Sequence, residues 1–214
     1  MKIIQRFWQL SRLNLAKAYV AWAETHLFRD EPAKAVKNCT RALDLDPLMV
    51  DAYVQRGRAY YRLGAYTEAL VDYEAAITLA PKNATLFINR GLAHHALGNS
   101  AEAVGDFNWA IFLDPHQPLA YNHRGLTDEA LGNYLGAIAD YTQAISLDPH
   151  LAVSYANRGR VRMVRGDLVG ALRDLRQYLA LATGLISAER IAVEKMMLDL
   201  MGQLSGEAAA ISLA

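Results

Sequence analysis

The sequence predicts an all-α solenoid, a stack of antiparallel helix pairs, from two observations. The first is a period of 34 residues that runs through most of the 214-residue chain without an insertion. A fixed period of that length is typical of arrays in which one helical hairpin is repeated. The second is that no segment alternates apolar and polar residues as a half-buried strand would. Prolines and two sets of glycines mark the period: Pro47, Pro81, Pro115 and Pro149; Gly57, Gly91, Gly125 and Gly159; and Gly64, Gly98, Gly132 and Gly166.

The N-terminal segment, residues 1–15, has the pattern of an amphipathic helix. Ile3 and Phe7 mark its apolar side, and Lys2 and Arg6 its basic side. Because terminal repeats need a cover, we expect this segment to cap the array or to extend its first helix. The alternative is a helix with a basic rim that binds a membrane surface or a partner.

Five repeats are expected between residues 16 and 185. Their boundaries are 16–49, 50–83, 84–117, 118–151 and 152–185. The first repeat is degenerate, because Cys39 stands where the next three repeats have an aromatic residue. We expect Cys39 to be a small core residue, since a reactive thiol would need an electropositive and partly exposed setting.

Within a repeat, a glycine and a proline predict where the two helices end. In the third repeat a first helix is expected over about residues 84–97, ended by Gly98 in the left-handed conformation. A second helix is expected over about residues 101–113. It should stop at Asp114, because the residue before Pro115 disfavours the helical region.

The C-terminal segment predicts a cover for the last repeat. Ser187 is expected to be the N-cap of a closing helix within residues 186–204. Residues 205–214 are small and poorly patterned, and we expect them to fray.

The mid-helix glycines predict close packing between the two helices of each repeat. Glycine in a helix interior costs about 1 kcal/mol relative to alanine, so its return at one position in four repeats implies a compensation. We expect the partner helix to come close there. The residues expected opposite the glycines are Ala69, Ala103, Ala137 and Ala171.

Arginine and aspartate recur at a fixed separation of 16 residues, which predicts an ion pair between the two helices of each repeat. We prefer this interpretation because the acid accompanies the arginine every time and because the planar guanidinium suits bidentate pairing. The alternative is a ladder of arginines that grips an acidic ligand. The pairs are Arg56 with Asp72, Arg90 with Asp106, Arg124 with Asp140, and Arg158 with Asp174.

The recurring residues resemble the pattern of the tetratricopeptide repeat (TPR) family over about residues 16–185. The third repeat has Phe87, Gly91, His94, Ala103, Phe107, Ala110 and Pro115, and the second has Tyr53, Gly57, Tyr60, Ala69, Tyr73, Ala76 and Pro81. The chain departs from the family's tyrosine at His94, Asp128 and Arg162. The resemblance implies a right-handed superhelix whose concave groove, lined by the first helix of each repeat, binds protein partners.

The family's groove positions, carried onto this chain, give the candidate binding residues. They are Gln55, Asn89, His123 and Asn157 in a polar ladder; Val54, Ile88 and Asn122 beside it; and Arg58, Leu92, Leu126, Arg160, Tyr61, His95, Glu129 and Arg62 further along. The amides of the ladder offer a donor and an acceptor each, which matches the backbone of an extended peptide; mere solvation of Asn89 and Asn157 is the alternative. The apolar patch of Ile88, Leu92 and Leu126 suits an amphipathic helix instead.

One activity found in the family is not expected here, namely capture of the C-terminal carboxylate of heat-shock chaperones. Of the residues at the corresponding positions, only Arg58 and Asn89 are suitable.

The sequence carries no motif for catalysis, a metal or a cofactor, and we expect none. His94 and His95 are adjacent, so on a helix they point about 100° apart, and no cysteine or carboxylate cluster completes a zinc site. Lys plus Arg and Asp plus Glu number 22 each, and the balance argues against a nucleic-acid partner. A single cysteine, with neither a signal-peptide pattern nor an apolar run of about 18–20 residues, leads us to expect a cytoplasmic protein.

The leading hypothesis is a non-catalytic scaffold for protein interactions, which binds an extended peptide or an amphipathic helix in the concave groove. Two alternatives remain open at this point. One is self-assembly into dimers or oligomers through the terminal helices. The other is a peripheral membrane adaptor that uses residues 1–14.

Overall fold

The computed structural model describes residues 2–183 and 188–212, and over these residues the chain is all-α, as predicted. Eleven helices and no strands are found there. The helices are α1 Lys2–Phe28, α2 Pro32–Leu45, α3 Val50–Arg62, α4 Tyr66–Leu79, α5 Ala84–Ala96, α6 Ser100–Leu113, α7 Pro118–Ala130, α8 Tyr134–Leu147, α9 Ala152–Val164, α10 Leu168–Leu181 and α11 Ala188–Ser212. The expected N-cap Ser187 lies outside the described residues.

The chain divides into two compact units. The N-terminal unit, Met1–Pro115, contains the hairpins α1–α2, α3–α4 and α5–α6, each packed against the next. The C-terminal unit, His116–Ala214, contains the hairpins α7–α8 and α9–α10, with α11 packed on α10. In both units the first helices of neighbouring hairpins are also in contact. These contacts join α1 to α3, α3 to α5, and α7 to α9.

Tight turns inside the hairpins require a left-handed residue. Gly64, Gly98, Gly132 and Gly166 have φ angles of 75°, 80°, 77° and 79°, a conformation that glycine adopts without a steric penalty. In the first hairpin Asp30 takes this place with a φ of 57°. Aspartate is among the few other residues that tolerate the left-handed region, so the degenerate first repeat keeps the same turn.

The two terminal helices are about twice as long as the others. Helix α1 has 27 residues and joins the expected N-terminal segment to the first repeat without a break. The Arg12 guanidinium donates to the carbonyls of Asp44 and Leu45 at the end of α2, so the first turns of α1 extend past its partner helix. Helix α11 has 25 residues and continues to Ser212. The expected frayed tail is therefore helical up to that residue, in keeping with the helix propensity of its alanines.

A buried side chain from the second helix of each repeat packs on the mid-helix glycine of the first. A Cβ added to Gly91 would lie 2.8 Å from the Phe107 ring. The same contact joins Gly57 to Tyr73, Gly125 to Tyr141 and Gly159 to Leu175. The expected cause, close approach of the helices, is right, but the nearest atoms belong to these large side chains rather than to the alanines named from the sequence.

The four arginine–aspartate pairs all have the same geometry. In each, the arginine Nε and Nη2 donate to the two oxygens of the aspartate sixteen residues later, at 2.7–3.0 Å. The aspartates are buried. Each guanidinium also lies over the aromatic ring three residues before it, 5.6–5.8 Å from the ring centroid. Held on both sides, these arginines are not a ladder open to an acidic ligand.

Burial and pairing oppose each other in these ion pairs, as the first of them shows. The hydrogen bonds to Asp72 raise the pKa of Arg56. Burial raises the pKa of Asp72, and the hydrogen bonds from Arg56 offset this only in part. Desolvation of the carboxylate thus opposes its attraction to the guanidinium, as is usual in a buried ion pair.

The glycine contact predicts a large difference between two glycine substitutions in the third repeat. Gly91→Leu forces a side chain into the Phe107 ring, and overpacking of this kind costs about 1–3 kcal/mol or more. Gly105→Ala on α6 is the control, because a Cβ there meets nothing within 4 Å, and it should raise the melting temperature slightly. Thermal unfolding followed by circular dichroism measures both. Equal melting temperatures for the two variants would disprove this packing.

The ion pairs predict strong coupling between Arg90 and Asp106. Arg90→Met alone leaves the buried carboxylate without a partner and should cost about 3–5 kcal/mol. The double variant Arg90→Met/Asp106→Leu should recover a large part of that loss, since no charge is then stranded. Urea unfolding of the wild type, both single variants and the double variant gives the coupling free energy. Additive effects would mean that the pair contributes nothing as a pair.

Candidate functional site

The predicted groove residues fall into one group on each unit. Helices α3 and α5 of the N-terminal unit carry the residues from Val54 to His95, and helices α7 and α9 of the C-terminal unit carry those from Asn122 to Arg160. The hydrogen bonds of each group decide which side chains remain available to a ligand.

Gln55, the first member of the polar ladder, joins two neighbouring repeats. Its Nε2 donates to Glu24 Oε1 at 2.9 Å, which links α3 to α1. Its Oε1 accepts from Arg58 Nη1 at 3.1 Å. Gln55 is buried, and both ends of its amide are used in hydrogen bonds within the chain.

In the C-terminal unit, Asn157 of the polar ladder is also hydrogen-bonded to the neighbouring repeat. Asn122 Oδ1 accepts from Ser154 Oγ at 2.9 Å and from Asn157 Nδ2 at 3.3 Å. All three side chains are buried between α7 and α9. Their hydrogen bonds hold one first helix against the next, because buried polar groups need such partners.

Ile88 is also buried, which reduces the apolar patch expected for an amphipathic helix. Leu92 and Leu126 are half-buried, but they lie in different units. Burial and internal hydrogen bonds therefore leave Ile88, Asn122 and Asn157 little access to a ligand.

A polar cluster takes up two further residues of the C-terminal group, Glu129 and Arg160. Arg160 donates from Nε and Nη2 to the two oxygens of Glu129 at 2.9 and 2.7 Å. Tyr141 donates its hydroxyl proton to Glu129 Oε2 at 3.1 Å. The hydrogen bonds to Glu129 raise the pKa of Arg160, and burial raises the pKa of Tyr141. These groups satisfy one another and tie α7, α8 and α9 together.

The N-terminal group has an amide that is left open. Asn89 on α5 is half-buried, and among the described residues its side chain has no hydrogen-bond partner. Leu92, one turn further along α5, is half-buried beside it. Arg58 precedes Asn89 by the same 31 residues that separate Glu24 from Gln55, yet its Nη1 donates to Gln55 instead. The hydrogen bond between Glu24 and Gln55 thus has no equivalent between Arg58 and Asn89.

A cleft of about 250 Å³ lies next to this group, between α1 and α3. Its lining residues are Glu24, Leu27, Phe28, Gln55, Arg58 and Arg62. Arg62 donates to the Leu27 carbonyl and lies 3.8 Å from Asp30. Phe28 at the end of α1 is 92% exposed. The cleft therefore combines two arginines, the Glu24 carboxylate, the Gln55 amide and an apolar wall.

Sequence reasoning named three residues of the cleft and missed the three on α1. The degenerate first repeat hid them, because it lacks most of the recurring residues. The 34-residue offset would have found them, since it relates Glu24 to Arg58 and Phe28 to Arg62.

The remaining candidates for chemistry do not form a reactive site. Cys39 is fully buried, and burial raises the pKa of its thiol to about 12, so the nucleophilic thiolate is disfavoured. Among the described residues, no group of three or more histidine, cysteine, aspartate and glutamate side chains could hold a metal ion. None of the described helices is both long enough and apolar enough to span a bilayer.

Two family models match the chain, one in each unit. A model described as a TPR repeat matches residues 57–98, and a model described as a tetratricopeptide repeat matches residues 118–151. No curated protein sequence matches the chain.

Solved structures share the fold at low sequence identity. PilW, described as a type IV pilus biogenesis factor, has a TM-score of 0.78 at 20% identity, over 87% of this chain and 86% of its own. The pilF protein of Pseudomonas aeruginosa has a TM-score of 0.78 at 16% identity, over 93% and 90% of the two chains. YrrB, described as a TPR protein with an unusual peptide-binding site, has a TM-score of 0.61 at 21% identity, over 83% and 90%.

Proposed function

The chain belongs to the tetratricopeptide repeat family, whose fold serves as a scaffold for protein interactions, and on that premise we propose that it binds an extended peptide without catalysing a reaction. The proposed site is the α3–α5 face of the N-terminal unit together with the cleft beside α1. Asn89 is the observation that carries this proposal, because it is the ladder amide left half-buried without a partner.

A peptide backbone supplies the hydrogen-bond donor and acceptor that the Asn89 side chain lacks among the described residues. Its carboxamide can donate to a peptide carbonyl and accept from a peptide N–H at the same time. Each such bond contributes about 0.5–1.5 kcal/mol, and more where water is excluded. Half-burial favours binding further, since an amide already partly removed from water loses little solvation when a ligand covers it.

The cleft next to α3 suits a side chain of the same peptide. Leu27 and Phe28 offer an apolar wall, and Arg58 and Arg62 offer donors at the rim. A volume of about 250 Å³ admits one large side chain. Both features lie on preformed helices, so most of the ordering cost falls on the peptide.

An extended peptide fits this face better than an amphipathic helix does. A helical ligand needs an apolar groove for its i, i+3, i+4 and i+7 side chains. Ile88 is buried and has little access to a ligand. Of the two apolar residues expected in the patch on α5, this leaves Leu92 to contact a helical ligand.

Two asparagines at the same position of different repeats provide a matched test. Peptides are selected from a random library against the immobilised full-length chain, and their affinities are measured by isothermal titration calorimetry. Asn89→Ala should weaken binding about tenfold, the equivalent of about 1.4 kcal/mol, and leave the melting temperature unchanged.

Asn157→Ala is the control, because it removes a buried bond to Asn122. It should lower the melting temperature and change the affinity by less than about twofold. Selected peptides that bind the Asn89→Ala variant as tightly as the wild type would contradict the proposed site.

The length of α1 favours a second candidate function, contact with a membrane surface. The turns of α1 before Arg12 extend past the end of α2, and their sequence pattern predicts an amphipathic helix, with Ile4 and Phe7 among its apolar residues and Lys2 and Arg6 among its basic ones. A helix of this kind can lie in the interface of an anionic bilayer.

Flotation of the full-length chain with anionic liposomes tests this second function. The wild type should float and the variant Ile4→Asp/Phe7→Asp should not, because charges on the apolar side oppose insertion. High salt should weaken flotation, since part of the attraction is electrostatic. Equal flotation of the wild type and the variant, or none by the wild type, would rule the function out.

A further inference from the structure

Helix α6 exposes an aromatic patch that peptide binding on α3 and α5 does not use. Trp109 is 56% exposed and Phe112 is 75% exposed. The two rings meet edge to face, with centroids 5.5 Å apart and an angle of 86°. Together with Gly105 and Asn108 they line a cleft of about 410 Å³.

The repeat fold does not require aromatic residues at these two positions. The residues at the equivalents of Trp109 and Phe112 are Arg41 and Asp44 in the first repeat, Ala75 and Thr78 in the second, Gln143 and Ser146 in the fourth, and Gln177 and Ala180 in the fifth. Two exposed rings in one repeat are therefore an addition to the array, of the kind that marks an interaction surface.

The Trp109 ring is held in place before any partner arrives. It stacks on Phe87, with centroids 6.4 Å apart and planes 29° apart. Phe87 is buried and lies under the Arg90 guanidinium, which is fixed by Asp106. An aromatic side chain ordered in this way loses little entropy when it binds.

Gly105 leaves a hollow on the same face, one helical turn before Trp109. It lies in the interior of α6, where glycine weakens a helix. An added Cβ would meet nothing within 4 Å, so packing among the described residues does not require glycine there. The face thus has a protruding ring and a hollow side by side.

We propose that this face binds a second copy of the chain, with Trp109 of each copy seated against Gly105 of the other. A two-fold interface uses the same patch on both subunits and must be complementary to itself. A protrusion and a hollow one turn apart satisfy that condition when two α6 helices cross in an antiparallel direction.

The charges also favour a second copy over a charged partner. Among the described residues, the lining of the cleft contains no ionisable side chain, so an acidic or basic segment finds no opposite charge in that part of it. The chain has a formal net charge of zero, so two copies approach without long-range repulsion.

The buried area sets the expected strength of the dimer. Aromatic side chains bury roughly 200 Å² each, so the exposed parts of the four rings supply about 500 Å². Stable interfaces bury about 1,200–2,000 Å² in total. The dimer is therefore weak and forms as the concentration rises, with a dissociation constant in the micromolar to millimolar range.

Sedimentation equilibrium of the full-length chain over a range of concentrations tests the proposal. The wild type should pass from monomer to dimer, and Gly105→Lys should remain monomeric because its side chain fills the hollow. Lysine occupies the equivalent position in the first repeat, at Lys37. Since an added Cβ at Gly105 meets nothing within 4 Å, this variant should keep its fold, which circular dichroism verifies.

Two further variants separate this face from other surfaces. Trp109→Gln copies the residue found at Gln143 and should raise the dissociation constant at least tenfold. Trp22→Gln removes a tryptophan of α1 that is 52% exposed and should leave association unchanged. A wild type that stays monomeric up to about 1 mM overturns the proposal, and so does a dimer that persists in both α6 variants.

Discussion

Each repeat depends on the contact between a mid-helix glycine and the large side chain packed on it. A Cβ at Gly91 would lie 2.8 Å from the Phe107 ring and 3.2 Å from Asp106 Cβ, so the absent side chain brings the two helices together. That approach also brings Asp106 within reach of Arg90. The helix packing and the Arg90–Asp106 ion pair thus both follow from the absence of a Cβ at Gly91. The 34-residue period of the sequence largely reflects the recurrence of this contact from repeat to repeat.

The fold was predictable because its determinants lie within one repeat. Glycine, proline, arginine and aspartate recur at fixed separations, and four copies make each of them visible in a single sequence. The helix ends of the third repeat follow from Gly98 and from Asp114 before Pro115. The contact partner of Gly91 was harder to predict, because Ala103 and Phe107 lie on the same face of α6, one turn apart, and periodicity does not say which of them the glycine meets.

The candidate site was less predictable because it depends on contacts between repeats. Asn89 and Asn157 occupy the same position and look alike in the sequence. One remains open, whereas the other is bonded to Asn122, because the neighbouring repeat supplies a partner in one case only. Arg162, where the family has tyrosine, likewise turns to Asp174 as a second arginine. Groove positions assigned from one repeat at a time cannot include such neighbours.

The polar links between first helices are unevenly distributed, and this has a consequence for how the array unfolds. Glu24 and Gln55 join α1 to α3, and Asn122, Ser154 and Asn157 join α7 to α9, whereas Arg58 is not bonded to Asn89. In a linear array, cooperativity is set by the coupling between nearest neighbours. A ligand that bridges Arg58 and Asn89 would supply a missing coupling, so amide hydrogen exchange in α3 and α5 would slow together when it binds.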